Sequence, residues 1–161
     1  MRYGWAILIG GLALVFGVVL WTKIVRYQVP RELPVGECTW YADNRAKEAG
    51  WDLEFRQHFG RDARKWGDMV ANATLVQEPK VGSLMVLDSW GSNPYGHVAY
   101  VEEVADAEHF TVTHANMMVG VKIVARNGVP IRKVDVVKSG SSVSFGEGKA
   151  SYKLIGFLVK K

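Results

Sequence analysis

The amino-terminal part of the chain contains an uncharged apolar stretch. From Tyr3 to Trp21 the sequence reads YGWAILIGGLALVFGVVLW, with no charged residue and no proline. This is about the length that a helix needs to cross the hydrocarbon core of a bilayer. Trp5 and Trp21 lie near its two ends, where aromatic side chains anchor membrane helices. We therefore predict a transmembrane anchor over residues 1–22, a linker over 23–33 and one folded domain over 34–161.

Two properties of this anchor stay open at the level of sequence. A cleaved signal peptide would have a shorter apolar region and a cleavage site of the small-x-small kind. The residues after Trp21, TKIVRYQVPRELP, contain no such site, which favours an anchor that is not cleaved. Lys23 and Arg26 follow the apolar stretch and only Arg2 precedes it, so the positive-inside rule favours a cytoplasmic domain.

The pattern after Pro34 begins with helical spacing. One face of a helix collects Cys38, Tyr41, Ala42, Arg45, Ala46 and Ala49. Gly50 follows, which is a favourable residue just after a helix end. A second helix is predicted over Asp62–Ala73, with Asp62 as its cap and an inner stripe of Ala63, Trp66, Met69, Val70 and Ala73.

The rest of the chain has the composition of strands. Segments rich in β-branched and aromatic residues alternate with Gly, Pro, Asn and Ser clusters. These segments are Leu84–Leu87, Val98–Val104, Phe110–Ala115, Val121–Ala125, Ile131–Val137 and Tyr152–Val159. Helices followed by a run of antiparallel strands predict an α+β domain. Residues Gly140–Gly148, GSSVSFGEG, are predicted to form a flexible loop.

Composition and charge narrow the function classes. The 161 residues are 48% hydrophobic and 22% charged, which is typical of a folded chain. The formal net charge is +4, but Lys and Arg are scattered without a dense basic stretch. We therefore predict no nucleic-acid binding. A mildly basic surface favours anionic surroundings such as lipid head groups or cell-wall polymers, and it also serves solubility.

Cys38 is the chain's one cysteine, so no disulfide can form within a single chain. It follows Val-Gly-Glu and opens the first predicted helix. The helix dipole and the unpaired N–H groups at such a position favour the thiolate, which is the reactive form of the side chain. The alternative is an inert cysteine packed on an apolar helix face.

The histidines offer one clear partner for this thiol. His97 begins a strand directly after a glycine-containing turn, so its ring can stand at the open end of that strand. A cysteine at a helix start facing a histidine at a strand start is the geometry of papain-like enzymes. His58 lies in a charged stretch and His109 in a turn, where both are predicted to be solvated.

A third group should orient the imidazole of His97. His114 and Asn116 are two residues apart in FTVTHAN and therefore share one face of a strand. The amide oxygen of Asn116 can accept a hydrogen bond from the imidazole, whereas His114 could do so only in one neutral tautomer. The sequence favours Asn116 and leaves His114 as the alternative.

Several segments together resemble the CHAP family of cysteine- and histidine-dependent amidohydrolases and peptidases. The segments are GECTWYADNR, KWGDMVANA, PKVGSLMVL, YGHVAYVEEV and TVTHAN. Their order and spacing carry the resemblance, which covers about Pro34–Asn116 well and the remainder loosely.

The resemblance implies a papain-like domain, in which amino-terminal helices pack on an antiparallel sheet, and hydrolysis of peptidoglycan without metal or cofactor. The cleaved bond would be the N-acetylmuramoyl-L-alanine amide or a link within the peptides. Cys38 matches the nucleophile and His97 the general base. Many members carry Glu-x-Asn where this chain has His114-Ala115-Asn116, so Asn116 is the matched polar position of a Cys–His–Asn triad.

Four aromatic residues flank these positions in sequence and are candidate substrate-binding residues. Trp40 and Tyr41 follow Cys38, and for these two a place in the core is an equal alternative. Trp90 and Tyr95 belong to the loop before His97, which favours a role in a groove.

Other interpretations remain beside this one. A metal site from Cys38, His97 and His114 lacks any recognisable ligand spacing. An inactive domain that binds peptidoglycan would also fit the resemblance. The biological setting is either a bacterial envelope assembly or a phage lysis or tail enzyme. Because peptidoglycan is not cytoplasmic, the catalytic interpretation predicts a domain in the periplasm or outside the cell, against the charge rule.

Overall fold

The computed structural model describes residues 33–56 and 61–161. The predicted anchor, nearly all of the predicted linker and His58 lie outside these residues. Within the part that is described, no helix has the length and hydropathy required to span a bilayer. Leu33–Lys161 form one compact unit.

The domain contains few helices and many strands. Helix α1 spans Cys38–Glu48, a 3₁₀ turn spans Ala63–Lys65 and the short helix α2 spans Trp66–Met69. The strands are β1 Ala73–Val76, β2 Leu84–Leu87, β3 His97–Val104, β4 His109–His114, β5 Val121–Arg126, β6 Val129–Ser139, β7 Ser142–Phe145 and β8 Ser151–Lys160. The six predicted strands are confirmed with small shifts at their ends, and the domain is more strongly β than expected.

Helix α1 is confirmed, including its end. The buried side chains Trp40, Tyr41, Ala42 and Ala46 form its inner face. Gly50 adopts φ +77°, and its N–H donates to the carbonyl of Lys47 at 2.9 Å. A glycine reaches this left-handed conformation without a Cβ clash, which explains why the helix ends here.

The prediction of a second helix over Asp62–Ala73 is wrong in extent. Helical geometry ends at Met69, because Val70 is extended and bridges to Phe55. Ala71 then donates to the carbonyl of Glu54 at 2.7 Å, and Ala73 begins β1 by pairing with Lys160. Strand pairing with distant residues therefore replaces the helix that the local apolar spacing favours.

The strands form one antiparallel sheet in the order β1-β8-β2-β3-β4-β6-β5, and β7 pairs with both β6 and β8. Strand β7 corrects the prediction of a flexible loop over Gly140–Gly148. Its alternate residues Val143 and Phe145 are buried, so a short segment with few apolar residues still contributes to the core. Two apolar residues are too few to reveal a strand by their spacing alone.

Both faces of the central strands are buried. Leu84 and Val86 of β2 face the helices, in a cluster with Trp66 and Ala42. Met85 and Leu87 face the opposite side, in a cluster that includes the buried residues Ala99, Val101, Phe110, Val136, Phe145 and Phe157. The strongly curved sheet encloses this second cluster with its own later strands, which explains the continuous apolar run in β2.

A polar chain ties helix α1 to the sheet. The Tyr41 hydroxyl donates to Oγ1 of Thr113 at 2.8 Å, and Thr113 donates to Oε1 of Glu102 at 2.7 Å. Arg45 holds the same carboxylate with two nitrogens, at 3.0 and 2.8 Å, and its guanidinium lies 4.3 Å from the centre of the Tyr100 ring. Paired in this way, the half-buried charges fix the position of the helix on β3 and β4.

A buried histidine also belongs to this interior. His114 ends β4, is fully buried and has no hydrogen-bond partner for either ring nitrogen among the described residues. Burial lowers the pKa of His114 from its usual value near 6.5 to about 4. The backbone at Val119 and Ala115 opposes this shift without making a well-aligned bond, and Arg132 adds to it. His114 is therefore neutral in the folded domain at physiological pH.

The first prediction concerns Gly96, which precedes β3 at φ +73°. A Cβ at this position would collide with the carbonyl oxygen of Leu87 and lie 2.7 Å from Cβ of Arg64. Gly91 has φ +47° but open space around it, so it is a matched control. We expect Gly91→Ala to lower the free energy of unfolding by about 1–2 kcal/mol and Gly96→Ala to lower it further. Equal losses in urea unfolding would show that the close contact is unimportant.

The second prediction concerns pH. Because the pKa of His114 is lower in the folded than in the unfolded chain, the unfolded chain binds more protons as the pH falls below 6.5. The contribution of neutral His114 to stability is therefore complete above pH 6.5 and is lost progressively as the pH falls to about 4. The loss amounts to about 3 kcal/mol from this residue. Urea unfolding of the wild type and His114→Gln across this range should show a shallower decline in the variant, and parallel curves would contradict the assignment.

Candidate active site

Cys38 stands at the start of helix α1 because the preceding turn directs the chain into it. Glu37 donates its backbone N–H to the carbonyl of Pro34 at 3.2 Å, and Gly36 has φ +97°. Glu37 is the N-cap residue but makes no side-chain capping bond. Cys38 is thus the first helical residue, and the N–H groups of the first turn are left without helical partners.

His97 stands at the start of strand β3. Its backbone pairs with Leu87 of β2, and its side chain is 2% exposed. The turn before it is held on the 3₁₀ segment, since Arg64 donates its N–H to the carbonyl of Tyr95 at 3.0 Å. The ring position is therefore set by β2 on one side and by the Gly96 turn on the other.

Cys38 and His97 line the same cleft, whose volume is about 510 Å³. Its other walls come from the turn before α1, the segment at Arg61–Ala63, the loop before β3 and the end of β4. The remaining lining residues are Pro34, Glu37, Thr39, Arg61, Asp62, Ala63, Ser92, Asn93, Pro94, Tyr95, Gly96 and Asn116. The fold thus brings together the two residues that the sequence selected.

Burial controls the protonation of the thiol. It raises the pKa of Cys38 to about 11. The backbone at Val98 opposes this shift, the carboxylate of Glu37 adds to it, and the backbone at Thr39 and at Cys38 itself opposes it further. The helix start therefore offsets only part of the desolvation, and the thiol is protonated at neutral pH.

His97 is neutral for a related reason. Complete burial lowers its pKa well below the usual value near 6.5, and the neighbouring His114 adds to the shift. The two rings meet edge to face with centroids 5.1 Å apart. Nε2 of His97 is buried without a hydrogen-bond partner among residues 33–56 and 61–161. The resting pair is therefore a neutral thiol and a neutral imidazole, which can accept a proton.

Asn116 and His114 occupy different surroundings, although they share one segment. Asn116 adopts φ +55°, and its Nδ2 donates to Oε2 of Glu37 at 2.8 Å across the cleft. The ring next to His97 is that of His114. The ring contact involves His114, which the sequence left as the alternative to Asn116, and the orienting role of either residue remains a prediction. The two side chains diverge because the left-handed backbone at Asn116 breaks the strand alternation that would place them on one face.

The four candidate aromatic residues are not equivalent in the fold. Tyr95 lines the cleft and is 63% exposed. Trp40 and Tyr41 are buried in a cluster with Ala115 and Ile131, away from the cleft lining. Trp90 packs edge to face on Tyr152 at 4.9 Å and lies 6.4 Å from the His97 ring. Substrate contact remains a prediction, and Tyr95 is the residue placed to make it.

The remaining titratable residues include His109, which lies outside the cleft lining, and Glu37, which belongs to it. His109 is exposed and pairs with Asp106 through Nδ1 at 3.0 Å. The described residues contain no group of three His, Cys, Asp or Glu side chains able to hold a metal ion. Sequence reasoning missed Glu37, although its place directly before Cys38 was a signal that a carboxylate would border the thiol.

Comparisons with known proteins place the chain in a family. A family model described as the CHAP domain matches residues 28–116. A probable autolysin of Staphylococcus aureus (strain NCTC 8325 / PS 47), SsaALP, is 34% identical over 87 residues, which are 53% of this chain and 31% of that protein. The chain therefore spans about a third of the length of this relative.

A solved structure supports the fold. The crystal structure of Ly7917 with the hydrolyzing product of MDP aligns with a TM-score of 0.52 and 18% identity, over 84% of this chain and 59% of that one. At this identity the likeness concerns the fold alone. The family model covers more than half of the chain, including the segments with Cys38, His97 and Asn116 on which the resemblance rests. The chain belongs to the CHAP family.

Proposed function

We propose that this protein is a peptidoglycan hydrolase that cleaves an amide bond, with Cys38 as nucleophile and His97 as general base. One observation carries the proposal: a thiol at a helix start and an imidazole at a strand start line a single open cleft. Membership of the CHAP family and the similarity to a probable autolysin support the substrate class.

In the first half of the reaction, His97 takes the proton of Cys38 while the sulfur attacks the amide carbonyl. Proton transfer and attack are coupled, because burial disfavours a separate thiolate and imidazolium in the resting site. The backbone N–H groups at the start of α1, which have no helical partners, stabilise the developing oxyanion in this scheme.

The second half releases the two products. His97 returns the proton to the leaving amine, the carbon–nitrogen bond breaks and a thioester remains on Cys38. Water then attacks the thioester with His97 again as base, which frees the acid and restores the thiol. No metal or cofactor enters this sequence of steps.

We assign the positioning of His97 to His114. Its ring packs against His97 at 5.1 Å between centroids and is itself buried. A neutral imidazole at this place can accept a hydrogen bond but brings no negative charge, unlike the Glu that many members carry. The imidazolium formed during the reaction is therefore stabilised less than a carboxylate would stabilise it. Asn116, held by Glu37, shapes the cleft wall.

The location follows from the substrate. We propose that residues 1–22 anchor the protein in a membrane and that the domain lies in the periplasm or at the cell exterior. The apolar stretch Tyr3–Trp21 supports the anchor, and the absence of peptidoglycan from the cytoplasm supports the outer side. An envelope assembly or a phage particle would supply the partners.

A second candidate function is a peptidoglycan-binding module with little or no activity. The observation in its favour is the raised pKa of Cys38, about 11, because such a thiol is a poor nucleophile without an efficient base. The two functions differ in whether the wild-type protein cleaves the cell walls that it binds.

The third prediction is that Cys38→Ala abolishes release of soluble muropeptides from purified cell walls, since the nucleophile is lost. Binding to the same walls should persist, because the cleft keeps its other residues. Mass spectrometry of the digest identifies the new ends and so names the bond. Thr39→Ala, which changes the neighbouring cleft residue, is the matched control and should retain cleavage. Wild-type protein that binds walls without releasing muropeptides would establish the binding module instead.

The fourth prediction concerns the pH dependence of kcat/KM. The lowered pKa of His97 keeps the base neutral in weak acid, so the acid limb of the profile lies below pH 6.5. His114→Glu places a carboxylate beside His97, raises the imidazole pKa and should move this limb to higher pH. His114→Gln is the uncharged control and should leave the limb near its wild-type position. An unchanged limb in His114→Glu would remove His114 from the positioning role.

A further inference from the structure

Strand β5, Val121–Arg126, lies at one end of the sheet and pairs only with β6 within the described domain. Its residues 121–125 are exposed on both faces. Exposed edge strands in natural proteins are usually protected by charges, proline or bulges, because their free backbone groups pair with other chains. Here a bulge between Lys122 and Val124 and the two cations Lys122 and Arg126 protect the edge against pairing with another strand. The apolar side chains of β5 nevertheless remain exposed.

The exposed apolar residues of this edge strand and of the segment before it are called the β5 patch. It consists of Met118, Val121, Ile123 and Val124 around Lys122. The apolar members are 85%, 71%, 51% and 51% exposed respectively. Contiguous apolar groups of this kind mark interaction surfaces more often than scattered ones do.

The sequence around the β5 patch is cationic. Residues 117–133 contain four cationic side chains and no acidic one. Glu48 compensates Arg126 at 2.6 Å and Glu103 compensates Lys133 at 2.5 Å, whereas Lys122 has no ion pair within the described residues. Arg132 donates to the carbonyl of Gly120 at 2.9 Å. The apolar residues therefore lie beside the uncompensated charge of Lys122, and this combination is complementary to the interface of an anionic bilayer.

The start of the domain lies beside this hairpin. Leu33 packs on the cluster of Trp40, Tyr41, Ala115 and Ile131, together with Val129 at the start of β6. Only residues 23–32 separate this point from the apolar stretch that we propose as an anchor. Ten residues span at most about 33–36 Å. An anchored protein therefore keeps the β5 patch at high local concentration next to the bilayer surface.

We propose that the β5 patch docks on the surface of an anionic lipid bilayer beside the anchor. The inference rests on the anchor in the proposed function. A second copy is a poorer occupant, because edge-to-edge pairing of two β5 strands would bring Lys122 and its cationic neighbours close to their own copies. Docking would hold the cleft near the membrane, because the Gly36 turn before Cys38 lies close to Val129, which pairs with Arg126 of β5.

The test uses the full chain in a Cys38→Ser background, which removes its one native thiol. Ile123→Cys carries an environment-sensitive fluorophore in the β5 patch. Thr74→Cys carries it on the exposed edge strand β1 at the opposite end of the sheet. Both proteins are reconstituted into phosphatidylcholine vesicles with and without phosphatidylglycerol, and flotation confirms that the anchor holds the chain.

We expect the label at position 123 to shift to the blue and to be quenched by spin-labelled lipid in the anionic vesicles only. Added salt or Lys122→Glu should weaken the effect, and the label at 74 should stay in water. A water-like label at 123 in every vesicle overturns docking while leaving the anchor intact. A blue shift in detergent that grows with protein concentration assigns the patch to a second copy and also overturns it. Failure to float overturns the anchor and this inference together, and muropeptide release by the wild type is measured separately.

Discussion

The site depends on the seating of helix α1 across strands β3 and β4. The apolar inner face of the helix packs on the sheet. A chain of hydrogen bonds from Tyr41 through Thr113 to Glu102 and Arg45 fixes the position of the helix along the strands. This contact is what allows Cys38 at the helix start and His97 at the strand start to line the same cleft. The residues that supply the contact lie outside the cleft lining, so they act on the chemistry only through position.

Burial sets the resting protonation states of Cys38 and His97. Cys38, His97 and His114 are all enclosed, and desolvation favours the uncharged form of each. A carboxylate beside His97 would favour the imidazolium and with it the thiolate, but His114 brings no charge. The resting pair is therefore neutral, and in the proposed mechanism charge develops only as the substrate is attacked.

Much of the domain could be predicted because the relevant signals are local. The spacing in Cys38–Ala49 and the glycine that follows it are sufficient to predict a helix and its end. β-Branched runs such as Val98–Val104 are long enough to reveal strands. The second helix was overestimated because Val70 and Ala73 fit a helical stripe as well as a strand, and only pairing with Phe55 and Lys160 decides between them. Strand β7 was missed because its contribution to the core depends on residues far away in sequence.

The sequence by itself determined which pair to propose as reactive, since a cysteine at a helix start and a histidine after a glycine turn are defined by their neighbours. It also determined the family, since ordered motifs can be read without coordinates. Only the tertiary structure decided which side chain lies against His97, which aromatic residue reaches the cleft, and which strand edge remains open. These depend on how separate segments pack, and packing brings together residues whose relation no local pattern encodes.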